Sequence, residues 1–225
     1  NSDYHLNSFF IGLEKFLKQF PDYRDMQNVE HIKKKSSTLY LGMNLAKFDA
    51  YKNADKINKK PLILWNHRWE HDKNPEEFFD TLNKISKLGL EFDLAVLGQE
   101  FNNELPVFTE FQTKLKKHIV QFGFTESFEQ YASWLWKADL LPITSNQDFF
   151  GGSIMEAAYC DTLPLLPRRL TYPELFLEKE NPNLFYNDNE LFENLKIAIE
   201  KFSIPNKTSR LHFTKKYDWS NMVEI

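Results

Sequence analysis

The clearest indication of fold in this sequence is DLLPITSNQDFFGGSIMEAAYCDTLPLLP, which runs from Asp139 to Pro167. It opens with the apolar strand DLLPIT, passes through the polar turn SNQDFFGG, continues with helically spaced apolar residues in SIMEAAYC and ends in the strand TLPLLP. A strand, a helix and a second strand in succession are typical of parallel pairing, because parallel strands need a long crossover connection. The stretch therefore predicts one βαβ unit of a parallel sheet.

The same alternation of strands and helices extends to both sides of this unit. Further strands are predicted at PLILW, FDLAVLG, HIVQFG and NLFY, and further helices at 74–89, 108–117, 126–138, 172–176, 187–202 and 210–217. The helix that starts at Asn74 has an N-cap residue, a proline at its first position (Pro75) and a capping-box acid (Glu77). The pattern predicts an α/β fold: a Rossmann-like parallel sheet of about six strands with helices on both faces.

The part of the chain before this pattern is organised differently. An amphipathic helix is predicted from Tyr4 to Phe20, a second short helix ends in the lysine run 33–35, and SSTLYLG predicts a strand closed by Gly42. The polar segment AYKNADKINKK follows as a linker.

This organisation predicts a domain boundary near Asp55, with residues 1–55 forming one unit and residues 56–225 a second. Because the chain begins at Asn1 in mid-pattern, without an initiator methionine, we expect it to be a fragment of a longer protein.

Composition excludes several classes of protein. The net charge of −4 is not that of a dedicated nucleic-acid-binding domain, which is usually basic. No apolar run approaches the roughly eighteen residues that a membrane span needs, and the N-terminus lacks a signal-peptide pattern, so we expect a cytoplasmic protein without a membrane span. The single cysteine, Cys160, has no partner for an internal disulfide and lies in an apolar helix, where it is expected to be a buried hydrophobe.

The turn before the helix SIMEAAYC is the first candidate for chemistry. In an open parallel sheet, ligands lie beyond the carboxyl ends of the strands. Gly151 and Gly152 permit a tight turn, and the N-terminus of the following helix attracts an anion such as a phosphate. We expect Glu156, in the first turn of that helix, to bind the vicinal hydroxyls of a ribose, and Asp148 to reach sugar hydroxyls.

The separation of these two carboxylates carries little information by itself. With 32 acidic residues among 225, chance alone places roughly four pairs at this separation. The simpler interpretations are that Glu156 stabilises a helix N-terminus and that Asp148 is an ordinary loop acid.

The loop NHRWEHDKNP, which follows the strand PLILW, is the second candidate. Arg68 and Lys73 are two cations able to hold a diphosphate leaving group and stabilise the charge that develops on it. In this hypothesis no metal ion or other cofactor is required. The alternative is that both are solvated surface residues.

The same loop contains HRWEH, from His67 to His71, which matches the H-x-x-E-H pattern of a zinc protease family. That chemistry needs both histidines on one face of a helix, and the capping signals begin the helix only at Asn74. A zinc protease is therefore disfavoured. Two weaker candidates are QFGF, residues 121–124, which could flank a nucleobase, and residues 172–174, which open a helix at the same sheet edge.

With these residues, the chain resembles the C-terminal half of a group 1 retaining glycosyltransferase of the glycosyltransferase B fold. Arg68 and Lys73 match a basic pair of that family, which implies that they bind the donor diphosphate. Asp148 and Glu156 match a pair of glutamates whose first member contacts the donor sugar and whose second contacts the ribose; Asp148 departs from the usual glutamate. The resemblance implies catalytic roles for the first three of these residues, and donor binding by the following set: Arg68, Lys73, Asp148, Phe150, Gly151, Gly152 and Glu156.

The strings WNHRWEHDKNPEEFF, DFFGGSIMEAAYC and LTYPELF resemble more closely the tRNA-queuosine α-mannosyltransferase family and its bacterial relatives. This resemblance implies GDP-mannose as the donor and a queuosine base in tRNA as the acceptor. Family members carry an N-terminal Rossmann domain that holds much of the acceptor site, and residues 1–55 resemble only its end. The chain alone is therefore expected to bind the donor far better than it catalyses transfer.

Two other functions fit the same residues. One is a related glycosyltransferase with another donor and a glycan or lipid acceptor. The other is a nucleotide-binding module that has kept the sheet and lost transfer activity.

Overall fold

A six-stranded, all-parallel sheet forms the centre of the computed structural model, which describes residues 1–22, 24–52, 58–98, 105–202 and 212–223. The strands are β1 (Leu62–Trp65), β2 (Asp93–Leu97), β3 (Ile119–Gly123), β4 (Leu140–Pro142), β5 (Leu163–Pro167) and β6 (Phe185–Tyr186). All neighbouring pairs are parallel, as the alternating pattern predicted. The α/β fold class is therefore confirmed.

The strand order is β3-β2-β1-β4-β5-β6, so the chain first builds outward from β1 in one direction and then in the other. β1 and β4 are neighbours, with Ile63 opposite Leu140. At such a reversal point the connections leave toward opposite faces of the sheet and open a crevice at the carboxyl ends of the strands.

Helices cover both faces of the sheet. The α-helices are α1 (Asp3–Leu17), α2 (Met26–Lys35), α3 (Pro75–Lys87), α4 (Pro106–Lys114), α5 (Phe128–Lys137), α6 (Gly152–Tyr159), α7 (Tyr172–Leu175), α8 (Leu191–Glu200) and α9 (Trp219–Met222). Short 3-10 helices occupy Ala46–Tyr51, His71–Lys73, Pro182–Leu184 and His212–Tyr217.

Alternate side chains of the strands feed two separate cores, as the two-residue period of a strand requires. Leu62 and Leu64 of β1 pack with α5 and α6, whereas Ile63 and Trp65 pack with α3, α4 and α8 on the other face. All four side chains are almost completely buried, and each contributes on the order of 2 kcal/mol through removal of apolar surface from water. This double burial explains why β1 is apolar throughout.

The start of α3 differs in detail from the expected capping box. Asn74 has a left-handed backbone conformation and makes no side-chain cap to a backbone N–H. Its amide donates instead to Oε2 of Glu77, at 2.6 Å. Pro75 occupies the first position of the helix, as predicted.

The predicted strand SSTLYLG is wrong. Residues 36–42 form no strand, and only Met43 makes an isolated bridge, to Asp218. Leu39, which is 79% exposed, and Leu41 remain in solvent. The alternating pattern is present, but within the described residues this segment pairs with no strand of the sheet.

Two further expectations concern residues outside the described ranges. The boundary near Asp55 falls within residues 53–57, and Arg210 also lies outside. The described part of the last predicted helix, His212–Tyr217, is a 3-10 helix followed by α9. Across the described residues, no helix combines the length and apolar character needed to cross a lipid bilayer.

Candidate functional site

Two loops meet at the carboxyl edge of the sheet, where the strand order reverses. The β1–α3 loop comprises residues 66–74, and the β4–α6 loop comprises residues 143–151. They contain most of the residues that the sequence singled out. Because β1 and β4 are hydrogen-bonded neighbours, both loops leave the sheet side by side.

Hydrogen bonds tie the two loops to each other. The backbone N–H of Asn146 donates to the carbonyl oxygen of Asp72 at 2.7 Å. The hydroxyl of Thr144 donates to the carbonyl oxygen of Lys73 at 2.8 Å, and Nζ of Lys73 donates to the carbonyl oxygen of Gln147 at 3.0 Å. The loops therefore form one connected surface.

Lys73 lies between two carboxylates on this surface. Its ammonium is 3.1 Å from Oδ2 of Asp72 and 3.8 Å from Oδ2 of Asp148. The side chains of Lys73 and Asp148 are only 12% and 13% exposed, so this charge cluster is largely shielded from solvent. The structure thus brings together two of the predicted catalytic residues.

Asp148 also holds the glycine turn in place. Its Oδ1 accepts hydrogen bonds from the backbone N–H groups of Phe150 (3.3 Å) and Gly151 (2.7 Å), and its Oδ2 accepts one from the hydroxyl of Tyr172 (3.3 Å). The ring of Phe150 is buried against Tyr217, with 5.5 Å between ring centroids. The side chain of Phe150 therefore belongs to the core, and only its backbone lies in the turn.

The glycine pair shapes the start of α6. Gly151 has a φ of +72°, and a Cβ atom there would come within 3.2 Å of Cδ1 of Ile154. Gly152 is the first residue of the helix, and no side chain caps the helix N-terminus. The first N–H groups of a helix lack intrahelical acceptors, so this end of α6 presents donors and a positive dipole to an anion.

Glu156 lies in the second turn of α6, not in the first turn as predicted, because the helix begins at Gly152. Its Oε2 accepts a hydrogen bond of 2.8 Å from the hydroxyl of Tyr131, on α5. Burial raises the pKa of Glu156 above its ordinary value, while the Tyr131 bond and the charge of Lys47 act in the opposite direction. The carboxylate is therefore partly desolvated and fixed at one oxygen.

A cleft of about 230 Å³ opens beside these loops. It is lined by Asn66, His67, Arg68, Leu97, Gly98, Phe124, Thr125 and Tyr131. The side chain of Arg68 is 61% exposed and forms an ion pair of 3.0 Å with Glu70. Arg68 thus belongs to the cleft, whereas the ammonium of Lys73 belongs to the carboxylate cluster described above.

Asn66 and His67 were not predicted as donor-site residues, although they follow β1 directly. The amide of Asn66 donates to the carbonyl oxygen of Ser153 at 2.8 Å, and Nδ1 of His67 is 3.0 Å from the hydroxyl of the same serine. These bonds join β1 to the second residue of α6. Their position could have indicated them, because polar residues directly after a buried parallel strand lie at the edge where ligands bind.

The His67 imidazole is held neutral. Burial, reinforced by the charge of Lys73, lowers its pKa from 6.5 to about 4, and the charges of Asp148 and Asp72 counteract only part of this effect. Its Nδ1 faces Ser153, as described, while its Nε2 has no hydrogen-bond partner among the described residues.

Buried polar atoms without a partner are concentrated at this edge of the sheet. Among the residues that the structure describes, the side-chain atoms concerned are Asn66 Oδ1, His67 Nε2, Asp72 Oδ1, Ser145 Oγ and Thr171 Oγ1. All five lie in loops that follow β1, β4 or β5. Since an unpaired buried polar group costs about 1–3 kcal/mol, their clustering indicates a surface built to be completed by polar groups or water.

The HRWEH motif does not form the geometry of a zinc protease. His67 is buried in the loop, whereas the side chain of His71 is 79% exposed and lies in a 3-10 turn. The two imidazoles share no helix face. In the described part of the chain, no three His, Cys, Asp or Glu side chains are grouped to hold a metal ion.

The two weaker candidates, residues 121–124 and 172–174, differ in their surroundings. Phe124 is 65% exposed at the rim of the cleft. Tyr172 is buried, and the carboxylate of Glu174 accepts hydrogen bonds from the backbone N–H groups of Asp3 (2.8 Å) and Tyr4 (3.0 Å), which stabilises the start of α1. Glu174 is thus engaged with the N-terminal helix.

Cys160 is fully buried in the core, and burial raises the pKa of its thiol. It has the environment of a structural cysteine, as the sequence predicted.

Comparisons with known proteins give the same fold. Residues 47–215 match the family of glycosyl transferases group 1, and residues 1–43 match the family described as tRNA-queuosine alpha-mannosyltransferase N-terminal. The tRNA-queuosine alpha-mannosyltransferase of Drosophila melanogaster is 33% identical over 202 residues, which are 87% of this chain and 52% of the fly protein. The chain therefore spans about half the length of this relative.

Solved structures are similar in fold at low sequence identity. A glycosyltransferase from Rickettsia africae ESF-5 matches with a TM-score of 0.65 at 14% identity. The matched region covers 85% of this chain and 55% of the Rickettsia chain. The C-terminal domain of a glycosyl transferase group 1 family protein from Francisella tularensis matches with a TM-score of 0.57 at 19% identity. Here the matched region covers 80% of this chain and 96% of the Francisella domain. At these identities the likeness concerns the fold alone: a parallel sheet of the type found in C-terminal domains of the glycosyltransferase B fold.

Proposed function

Since the chain belongs to the group 1 glycosyltransferases and, within them, to the tRNA-queuosine alpha-mannosyltransferase family, we propose that it is the donor-binding part of a retaining glycosyltransferase. The proposed donor is GDP-mannose, and the proposed acceptor is a queuosine base in tRNA. The name of the fly relative, tRNA-queuosine alpha-mannosyltransferase, gives a mannosyl group and queuosine in tRNA, and the chain spans about half of that protein.

One observation carries the proposal: the β1–α3 and β4–α6 loops are joined at the reversal point of the sheet, next to an uncapped helix N-terminus. The N–H groups of α6 supply positive potential, as a diphosphate requires, and the ammonium of Lys73 lies on the same surface between the carboxylates of Asp72 and Asp148. Arg68 lines the adjacent cleft and adds a guanidinium, which matches phosphate geometry.

The nucleoside occupies the cleft in this proposal. Glu156 accepts hydrogen bonds from the ribose, next to the cleft-lining Tyr131. The exposed ring of Phe124 at the rim provides an apolar face for the nucleobase. Asp148, at the glycine turn, lies on the sugar side of the diphosphate.

Catalysis then follows from charge stabilisation. When the bond between the sugar and the diphosphate breaks, negative charge develops on the leaving diphosphate, and Arg68, Lys73 and the α6 N-terminus stabilise it. Among these groups, Lys73 is pre-positioned by the hydrogen bonds between the loops, so it needs little reorganisation during the reaction. The sugar is transferred with retention of its anomeric configuration.

Donor binding is tested by calorimetry with GDP, GDP-mannose and UDP-sugars. The chain should bind a guanine nucleotide, and the variant Arg68→Ala/Glu156→Ala should bind it about 100-fold more weakly, since two charge-assisted contacts are lost. The matched control is Lys114→Ala/Glu110→Ala, which removes one positive and one negative charge from an exposed pair on α4. If no nucleotide binds, or if the first double variant binds as tightly as the control, the proposal is wrong.

The acceptor is tested with the full-length protein, labelled GDP-mannose and tRNA that contains queuosine. Label in the tRNA supports the proposed reaction. Label in a glycan or lipid fraction indicates a related glycosyltransferase with another acceptor. Nucleotide binding without any transfer indicates the non-catalytic module.

A further inference from the structure

Tyr131 connects the cleft to Glu156. It belongs to α5, its side chain lines the cleft, and its hydroxyl donates to Oε2 of Glu156 across a contact between two helices. The chain separation of 25 residues means that only the packing of α5 against α6 creates this pair. Burial and the neighbouring carboxylate raise the pKa of Tyr131 well above its ordinary value, so the phenol remains a donor.

Glu156 needs such a donor for two reasons. Burial favours the protonated carboxyl, whereas a carboxylate that accepts hydrogen bonds from a ribose must be ionised. A glutamate side chain also has rotamer freedom that a ligand would otherwise have to restrict. The hydrogen bond from Tyr131 to Oε2 opposes both effects. Within the described residues Oε1 accepts no hydrogen bond, so it is the oxygen available to a ligand.

We propose that Tyr131 is a positioning residue that holds the Glu156 carboxylate in place and thereby makes the site selective for ribose over 2′-deoxyribose. This inference rests on the proposed function, because it needs a nucleotide in the cleft. Helix α5 would then contribute to donor recognition through Tyr131, which acts on Glu156 and does not itself contact the phosphates or the transferred sugar.

The experiment measures affinity for a ribonucleotide and its 2′-deoxy form by calorimetry. GDP, UDP and ADP are screened first, and the one that the wild-type chain binds most tightly is compared with its 2′-deoxy counterpart. The wild-type chain should prefer the ribonucleotide by about tenfold or more, the effect of one hydrogen bond to a charged group. Tyr131→Phe should weaken ribonucleotide binding by about tenfold and 2′-deoxynucleotide binding by clearly less, because only the 3′-hydroxyl of the latter is left for Glu156 to bind.

Two further variants separate positioning from folding. Tyr159→Phe removes a comparable tyrosine-to-carboxylate bond, 3.0 Å from Tyr159 to Asp49 at the end of α6, and should leave the ribose preference unchanged. In a Glu156→Gln background, Tyr131→Phe should cost less than about twofold, because a residue that acts through Glu156 has no further effect once that carboxylate is gone. Thermal unfolding of each variant is recorded alongside.

The outcomes are distinguishable. A wild-type chain that binds none of the nucleotides refutes the proposed function and this inference together. Nucleotide binding without a ribose preference, or a preference that Tyr131→Phe leaves intact, refutes the inference alone. Equal weakening of both nucleotides by Tyr131→Phe also refutes it, because that result indicates a general structural role.

Discussion

The buried imidazole of His67 is expected to make a large contribution to the acid sensitivity of this fold. Its pKa is lowered from 6.5 to about 4 in the folded chain, chiefly by burial. Protons therefore bind the unfolded chain more readily than the folded one. The stability that the neutral imidazole allows is fully present above pH 6.5 and is lost as the pH falls toward 4.

The magnitude follows from the two pKa values. At pH 7.5 His67 is neutral in both states, and the linkage contribution is close to zero. At pH 5.0 the unfolded imidazole is almost fully protonated while the folded one is mainly neutral, which removes about 2 kcal/mol from the free energy of unfolding. Below pH 4 the loss approaches about 3 kcal/mol.

The test compares urea unfolding of the wild-type chain and His67→Gln at pH 7.5 and 5.0, followed by tryptophan fluorescence. Every other titrating group is common to both proteins, so the difference between their pH dependences isolates His67. The wild-type chain should lose about 2 kcal/mol more than the variant between these pH values. His71→Gln, which replaces a 79% exposed histidine in the same loop, should behave as the wild type. Parallel pH dependences for wild type and His67→Gln would show that protonation of His67 does not destabilise the folded chain.

Three other predictions follow from single contacts. Gly151→Ala should lower the free energy of unfolding by about 1–2 kcal/mol in urea titrations, because a φ of +72° is strained for a residue with a Cβ. Asp218→Ala should lower the free energy of unfolding by about 3 kcal/mol, and Asp218→Asn by less, because this buried carboxylate accepts hydrogen bonds from Leu45, Ala46 and Ser220. A shift of the thermal midpoint of Asp218→Ala by less than about 1–2 °C would contradict this prediction. The Cys160 thiol should react with a disulfide reagent only as fast as the chain unfolds, and rapid labelling of the folded chain would show that it is accessible.

The order of strands and helices was predictable because each depends on a local pattern. All six strands were expected near their observed positions, and Pro75 at the start of α3 was identified from the capping signals. The strand predicted at 36–42 failed for a reason outside the segment, since a strand exists only where another strand offers hydrogen-bond partners. Glu156 was placed one turn too early because helix boundaries are the least certain part of a pattern.

The candidate site was also predictable only in part. The two loops could be selected in advance, because they follow buried strands and contain cations, carboxylates and glycines. The sequence could not predict which of these side chains lie close together. Lys73 is close to Asp148, whereas Arg68 lines the cleft, and this separation depends on how each loop folds back on the sheet.

Local sequence patterns specify the alternation of strands and helices, the glycine turn before α6 and the set of charged residues at strand ends. The partners of Glu156 and His67, which are Tyr131 and Ser153, depend on how distant elements pack in three dimensions. These pairs are 25 and 86 residues apart in the chain. Hydrophobic periodicity records which face of an element is buried, but a hydrogen bond between two elements also requires their order, register and packing angle. Those quantities exist only once the sheet has assembled.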